Sequence, residues 1–185
     1  MRKCCFWAII FSVVQGCANQ TPKTVNEVLN EASKNKNVNV GNLHYTFQLP
    51  QGWLRLDTAI QGLKVTLISQ PDTTGNLNPL MNVTTELMQN QNAEDYVLHV
   101  KNQMKKSTGP VEMINDGYIT LSGYKVLWFT YKYNRPGSAV AREMVYYSIP
   151  VNGISYNITA GVNAGGMVNY KTVFDKIVES FKLSK

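Results

Sequence analysis

Three tight-turn signals, Ser122-Gly123, Pro136-Gly137 and Asn152-Gly153, cut residues 111–160 into four stretches rich in β-branched and aromatic side chains. Asn-Gly is the most constraining of the three. A two-residue hairpin turn that matches the twist of its strands needs positive φ at both turn positions, which Asn and Gly tolerate best. The spacing predicts strands over Val111–Leu121, Tyr124–Tyr133, Arg142–Pro150 and Ile154–Ala160, joined as an antiparallel meander. Val126-Leu127-Trp128-Phe129 is apolar on both faces, so that strand is expected to be covered on both sides. Ile154, Tyr156, Ile158 and Ala160 alternate with polar residues, which predicts one wetter face.

Helical patterns bracket the meander. Before it, Asn92 stands at an N-cap, Glu94 and Asp95 fall in the first turn, and Lys101, Lys105 and Lys106 follow toward the end, all in agreement with the helix dipole. Ala93, Tyr96, Val97, Val100 and Met104 form the apolar stripe, and Gly109-Pro110 stops the helix. After the meander, a helix from about Val168 to Phe181 turns Tyr170, Val173, Phe174, Ile177, Val178 and Phe181 to one side. Upstream, Leu43, Tyr45, Phe47 and Leu49 alternate with polar residues as a strand that Pro50-Gln51-Gly52 breaks. Further strands are predicted at Lys64–Ser69 and Met81–Met88, with Pro71–Pro79 as the loop between them. The fold class that follows is α+β, one antiparallel sheet with helices packed on it. Residues 43–185 make a single domain without internal repeats.

The N-terminus carries a second pattern. Arg2 and Lys3 precede an apolar run, Phe6 to Val14, and Val14-Gln15-Gly16-Cys17 closes it. Nine helical residues rise about 13 Å, against a hydrocarbon core of about 30 Å, so the run fits a processed export signal better than a membrane span. A small residue at Gly16 and a thiol at Cys17 are what lipoprotein processing requires, with cleavage between them and a diacylglyceryl group joined to the sulfur. Residues 1–16 are therefore expected to be the signal peptide, and 17–42 the lipidated cysteine and a polar tether. Thr24 and Glu27 have capping-box spacing, so a short helix is expected over residues 24–33. Ala18, rather than Asp, follows the cysteine, which slightly favours the outer over the inner membrane.

All three cysteines, Cys4, Cys5 and Cys17, lie in or at this signal, so the domain itself has no thiol for redox, metal or nucleophilic chemistry. The formal charge is +6, of which Arg2 and Lys3 supply two, so the processed chain carries +4. No basic run exceeds Lys105-Lys106, which argues against nucleic acid as a partner.

Several segments of the domain fit one known family. They are Tyr45-Thr46-Phe47-Gln48-Leu49-Pro50 with Gly52-Trp53, Ile119 to Lys125, the Asn152-Gly153 hairpin, and Ile177-Val178-Glu179-Ser180-Phe181. Taken with the N-terminal signal, they resemble the PsbP-like superfamily and, within it, the DcrB-type bacterial lipoproteins. The resemblance implies an α/β/α sandwich and non-catalytic binding to other proteins. It implies no cofactor, and Cys17 is the one functional position it carries across.

The residues themselves offer little catalysis. His44 and His99 have no second ligand at metal spacing, and no G-x-S-x-G or HExxH is present. Glu86, Glu112, Asp116 and Glu143 are the carboxylates that could pair as acid and base. Gly161 to Gly166, ahead of the last helix, is expected to be a flexible connector, with anion binding at the helix N-terminus as the less favoured reading. Tyrosines crowd the meander. Tyr131, Tyr133, Tyr146 and Tyr147 are the candidate partner contacts, against the alternative that they build the core. The expected function is a non-enzymatic lipoprotein, anchored to a membrane by lipid and binding another envelope protein. The alternatives are a binder of a small apolar or lipid ligand and a toxin-immunity lipoprotein.

Overall fold

The computed structural model describes residues 45–60, 63–70, 79–107, 111–134 and 140–183. The expected signal, Gly16 and Cys17, the tether, His44 and the Pro136-Gly137 turn lie outside these residues.

Seven antiparallel strands form one sheet in the order β2-β3-β4-β8-β7-β6-β5. They are β2 (Leu54–Ile60), β3 (Leu63–Ser69), β4 (Leu80–Leu87), β5 (Val111–Leu121), β6 (Tyr124–Tyr133), β7 (Arg142–Val151) and β8 (Ile154–Asn163). The helices are α1 (Ala93–Ser107), between β4 and β5, and α2 (Met167–Glu179), after β8. A two-stranded ribbon of β1 (Tyr45–Thr46) and β9 (Lys182–Leu183) ties the start of the described domain to its end. The fold is the expected α+β sandwich, with α1 on one face over β6 and β7 and α2 on the other over β7 and β8.

The turns form as their residues dictate. Asn152 and Gly153 have φ of 51° and 77°, and Ser122 and Gly123 have 48° and 84°. Asn92 caps α1, its Oδ1 accepting the Asp95 N–H at 2.8 Å. Tyr96, Val97, Val100 and Met104 pack from α1 onto Phe129, Tyr131, Met144 and Tyr146. On the other face Phe174, Ile177 and Val178 of α2 are buried against Val145, Tyr147, Ile149, Ile158 and Ala160. Phe181, just past the helix, joins Tyr45, Phe47 and Tyr156 in an aromatic cluster with ring centroids 5.1–5.7 Å apart.

Four expectations need correction. The strand expected from Leu43 to Leu49 is paired only over Tyr45–Thr46, although Phe47 and Leu49 still pack on the core. Strand β2 was not anticipated, because Arg55 and Asp57 interrupt its apolar residues; the two form an ion pair at 3.0 Å on one face. The expected wet face of β8 is dry: Ser155, Asn157 and Thr159 are at most 3% exposed. Strand β8 is the middle one of seven, so both its faces lie inside the sandwich. Finally, Gly161 and Val162 are buried residues of β8, not parts of a connector.

Candidate functional site

Each face of the sheet carries one cluster of polar and aromatic side chains. On the α1 face, Asn157 is the hub. Its Oδ1 accepts the Tyr146 hydroxyl at 2.7 Å and the Ser155 hydroxyl at 2.6 Å, and its Nδ2 donates to the Tyr96 oxygen at 2.7 Å. Tyr96 in turn donates to Glu86 at 2.7 Å, and the Ser148 hydroxyl donates to that of Ser155 at 2.8 Å, the Ser155 proton being given to Asn157. Burial pushes the Tyr96 and Tyr146 phenols above the usual range, and the Glu86 carboxylate pushes the same way. Both are therefore neutral donors at any physiological pH. They hold α1 to β4, β7 and β8.

On the α2 face, the Tyr147 hydroxyl donates to Asp175 at 2.7 Å, and Lys171 grips the same carboxylate at 2.7 and 2.9 Å. The Lys171 ammonium sits 4.3 Å above the Trp128 ring. Beneath that ring lies Gly117 of β5, where an added Cβ would meet the indole at 2.9 Å. Trp128 is thus sandwiched between a bare backbone and a cation, and this stack fastens α2 to the β5–β6 hairpin. Burial and the Asp175 charge raise the Tyr147 phenol far beyond the ordinary range.

Of the two readings of the tyrosines, partner contact or core, these contacts support the core, which was the favoured one. Tyr131, Tyr146 and Tyr147 are 5%, 0% and 0% exposed, and Tyr133 is half-buried beside the α1 cluster. They are core residues because both faces of β6 and β7 are covered. The exposed aromatic residue is Tyr118 of β5, at 63%. Alternation along Val111–Leu121 together with the position of β5 next to the first hairpin could have singled it out.

The four candidate carboxylates are kept apart. Glu86 on β4 and Asp116 on β5 are four strands distant, about 19 Å. Asp116 pairs with Lys101 at 2.7 Å. Glu112 and Glu143 flank Lys132 in register across β5, β6 and β7. Glu143 accepts the Met167 N–H at 3.0 Å, so the N-terminus of α2 already holds a carboxylate of the chain itself. His99 lies exposed, 3.5 Å from Gln103.

Strand β5 is the outermost strand of the sheet and pairs only with β6. Its register shifts between Met113 and Asn115, and Ile114 at that bulge is 52% exposed. From Asn115 to Leu121 the pairing is regular. Among the described residues no strand pairs with its outer side, although the Asp116 N–H donates to Asn115 Oδ1 at 2.9 Å and the Asn115 carbonyl accepts the Thr130 hydroxyl at 3.4 Å; Tyr118 flanks the stretch on one face and Ile119 and the Trp128 stack on the other. At the opposite end, Arg55 of β2 donates to the Tyr45 carbonyl at 3.4 Å, and the Tyr45 hydroxyl bonds Thr66 of β3 at 2.6 Å. The described domain therefore begins beside β2 and β3, and the ring of its first residue, Tyr45, reaches Tyr156 of β8.

A seven-stranded antiparallel sheet with one described helix per face, and with the first and last described strands paired, has a PsbP-like, Mog1-like fold. Solved structures agree. Cyanobacterial PsbP (CyanoP) from Synechocystis sp. PCC 6803 superimposes with a TM-score of 0.55 at 18% identity, over 76% of this chain and 86% of that one. The Ran-binding protein Mog1p of Saccharomyces cerevisiae gives 0.56 at 11% identity, over 76% and 90%. PA94 from Pseudomonas aeruginosa, a protein of unknown function, gives 0.54 at 14% identity, over 74% and 95%. At such identities the likeness is one of fold. No protein-family model matches the sequence, and no curated protein does. Among the described residues no helix is long and apolar enough to cross a membrane.

Proposed function

We propose that this chain is a lipid-anchored lipoprotein of the bacterial envelope, of DcrB type. It binds another envelope protein through its β5 edge and catalyses no reaction. The observation that carries the reading is the β5 edge. Once the tyrosines are assigned to the core, the outer side of β5 from Gly117 to Leu121, which no described strand covers, is the surface best suited to take an extended partner segment as an eighth strand. Its place also suits the role. The described domain begins at Tyr45, whose polar and strand ties run to β2, β3 and β9 and not to β5. That Mog1p, a protein of the same fold, is Ran-binding supports protein recognition as a use of this scaffold. Attachment through Cys17 confines the domain to a membrane surface and raises its effective concentration toward a membrane-bound partner. The periplasmic side is the expected location, with the outer membrane favoured by Ala18. The filled layer beneath α2, where Phe174, Ile177 and Val178 are at most 1% exposed, weighs against a lipid ligand in that position.

The test is carried out in intact cells with the full chain. A photo-reactive side chain at Tyr118 should crosslink to one envelope protein, and the same group at the exposed Leu98 on α1 should not. Cys17→Ala should release the protein from membranes and weaken the Tyr118 crosslink. If Tyr118 and Leu98 give the same products, the edge is not the contact. If Cys17→Ala still sediments with membranes in high salt, lipid is not the anchor.

A further inference from the structure

Leu56, Leu67, Asn82, Thr159 and Tyr146 stand in one row across β2, β3, β4, β8 and β7. Two residues along, Leu54, Ser69, Leu80, Gly161 and Met144 form the next row. Tyr146 and Met144 lie under α1, so both rows belong to the α1 face. Over β3 and β4 that face carries Leu67 and Leu80 and, by strand alternation, Val65. These three are 8%, 5% and 0% exposed. Yet none of them joins the core beneath α1 or the core beneath α2. Helix α1 lies over β6 and β7, in the other half of the sheet. An apolar row this dry needs a second layer upon it, and neither described helix supplies one.

Composition narrows the source of that layer. Outside the described residues, the internal stretches 61–62, 71–78, 108–110 and 135–139 hold one large apolar side chain, Leu77. Phe6 to Val14 belongs to the expected signal, which processing removes. Residues 24–33 remain, with Val25, Val28, Leu29 and Ala32 on one helical face. A helix over 24–33 would be about 15 Å long and about 10 Å across, and β2, β3 and β4 together span about 10 Å. The link is long enough. Tyr45 sits in the core of the α2 face, close to the edge strand β2. The layers on the two faces are about 20 Å apart, and residues 34–44 extend to about 36 Å.

We infer that residues 24–33 of this same chain lie as a helix on the α1 face of β2, β3 and β4, with their apolar stripe on Val65, Leu67 and Leu80. So short a helix is marginal in water, so the sheet is what orders it. The docking stands apart from the β5 reading, and only its consequence for reach rests on the lipid anchor. With 24–33 docked, residues 18–23 alone join the domain to Cys17, which allows about 20 Å from the membrane, against about 85 Å for a free 18–42. The segment is then a strap that holds the domain close to the bilayer.

The experiment follows amide hydrogen exchange by mass spectrometry on the full chain, purified in detergent. Residues 24–33 should exchange at least about tenfold more slowly than an unstructured peptide. Leu29→Asp should speed exchange there and also in Leu63–Ser69, while Tyr124–Tyr133 stays as in the parent and reports that the domain is folded. Asn30→Asp, off the apolar stripe, should speed neither. Exchange of 24–33 at the unstructured rate in the parent overturns the inference, whatever the variants do. Protection of 24–33 that Leu29→Asp removes with no change in Leu63–Ser69 also overturns it, because the helix then lies on the detergent surface. Protection that falls on tenfold dilution places the segment on a second copy of the chain and overturns docking within one.

Discussion

Replacing Asn157 tests whether the buried polar layer stabilises the domain or is merely tolerated. Asn157 is 1% exposed and makes three side-chain hydrogen bonds, to Tyr146, Ser155 and Tyr96. Leucine has the same branched four-atom skeleton and somewhat more bulk, so Asn157→Leu removes the three bonds without opening a cavity. Each neutral bond contributes about 1 kcal/mol net, and a buried donor left without an acceptor costs about 1–3 kcal/mol. Ser155 can redirect its proton to Ser148, and Tyr96 keeps Glu86, which limits the loss. The expected destabilisation is about 2–4 kcal/mol, read as a lower urea midpoint at unchanged slope. Asn157→Asp keeps the shape but sets a carboxylate against the Tyr96 oxygen, whose proton is already given to Glu86. Burial raises the folded pKa of that new carboxyl. The penalty should therefore be full at neutral pH and should shrink as the pH falls and the group protonates. A leucine variant within about 0.5 kcal/mol of the parent would refute the argument, because the network would then add nothing beyond apolar packing.

Gly117→Val should push the Trp128 indole away from β5, since the new Cβ would begin 2.9 Å from the ring. A loss of about 1–3 kcal/mol and a changed tryptophan emission are expected, and Gly117→Ala should show the same changes more weakly. Asn92→Ala removes the cap of α1 and should cost about 1 kcal/mol by urea unfolding, whereas Asn92→Ser should cost little. Stability should fall in alkali. Burial holds the Tyr45 phenol up to about 12, with Tyr96, Tyr146 and Tyr147 also raised, whereas an unfolded tyrosine ionises near about 10. The folded state then keeps protons that the unfolded state has lost. The stabilisation is whole below the unfolded value and is lost as the pH rises through the folded ones. Tyrosinate absorbance that rises smoothly near the ordinary phenol value, with the fold intact, would contradict this.

The backbone plan was readable because its signals are local. Hairpins at Ser122-Gly123 and Asn152-Gly153 depend on two residues each, and the Asn92 cap with its following stripe depends on one turn of helix. Strand order was not readable. Nothing within Ile154–Asn163 says that β4, some seventy residues earlier, will close against it. That one pairing makes β8 central, and it turns Ser155, Asn157 and Thr159 from an expected wet face into a buried layer. The same non-local fact settles the tyrosines. A Tyr in a strand suits a half-open surface or a core equally, and the helix covering each face decides which.

The two sheet edges are not equivalent, and the difference follows from how the chain closes. Strand β2 lies beside the entry point. Its Arg55 is committed to Asp57 and to the Tyr45 carbonyl, and Asp57 also accepts the Thr66 hydroxyl at 2.6 Å. The β1–β9 ribbon and the bond from the Gln48 N–H to Ser180 at 2.8 Å add to that closure. Strand β5 has no comparable ties at its outer side. Its ion pair, Asp116 with Lys101, points back to α1. The bulge at Ile114 shifts the register between Val111–Met113 and Asn115–Leu121, which discourages continuous pairing between copies of the chain. Seven regular residues, Asn115 to Leu121, remain, enough for a short strand from another protein and too few for an open-ended stack. An edge interrupted by a bulge after its third residue and regular beyond it favours one short, specific pairing, and Tyr118, within that regular stretch, is the side chain placed to read its partner.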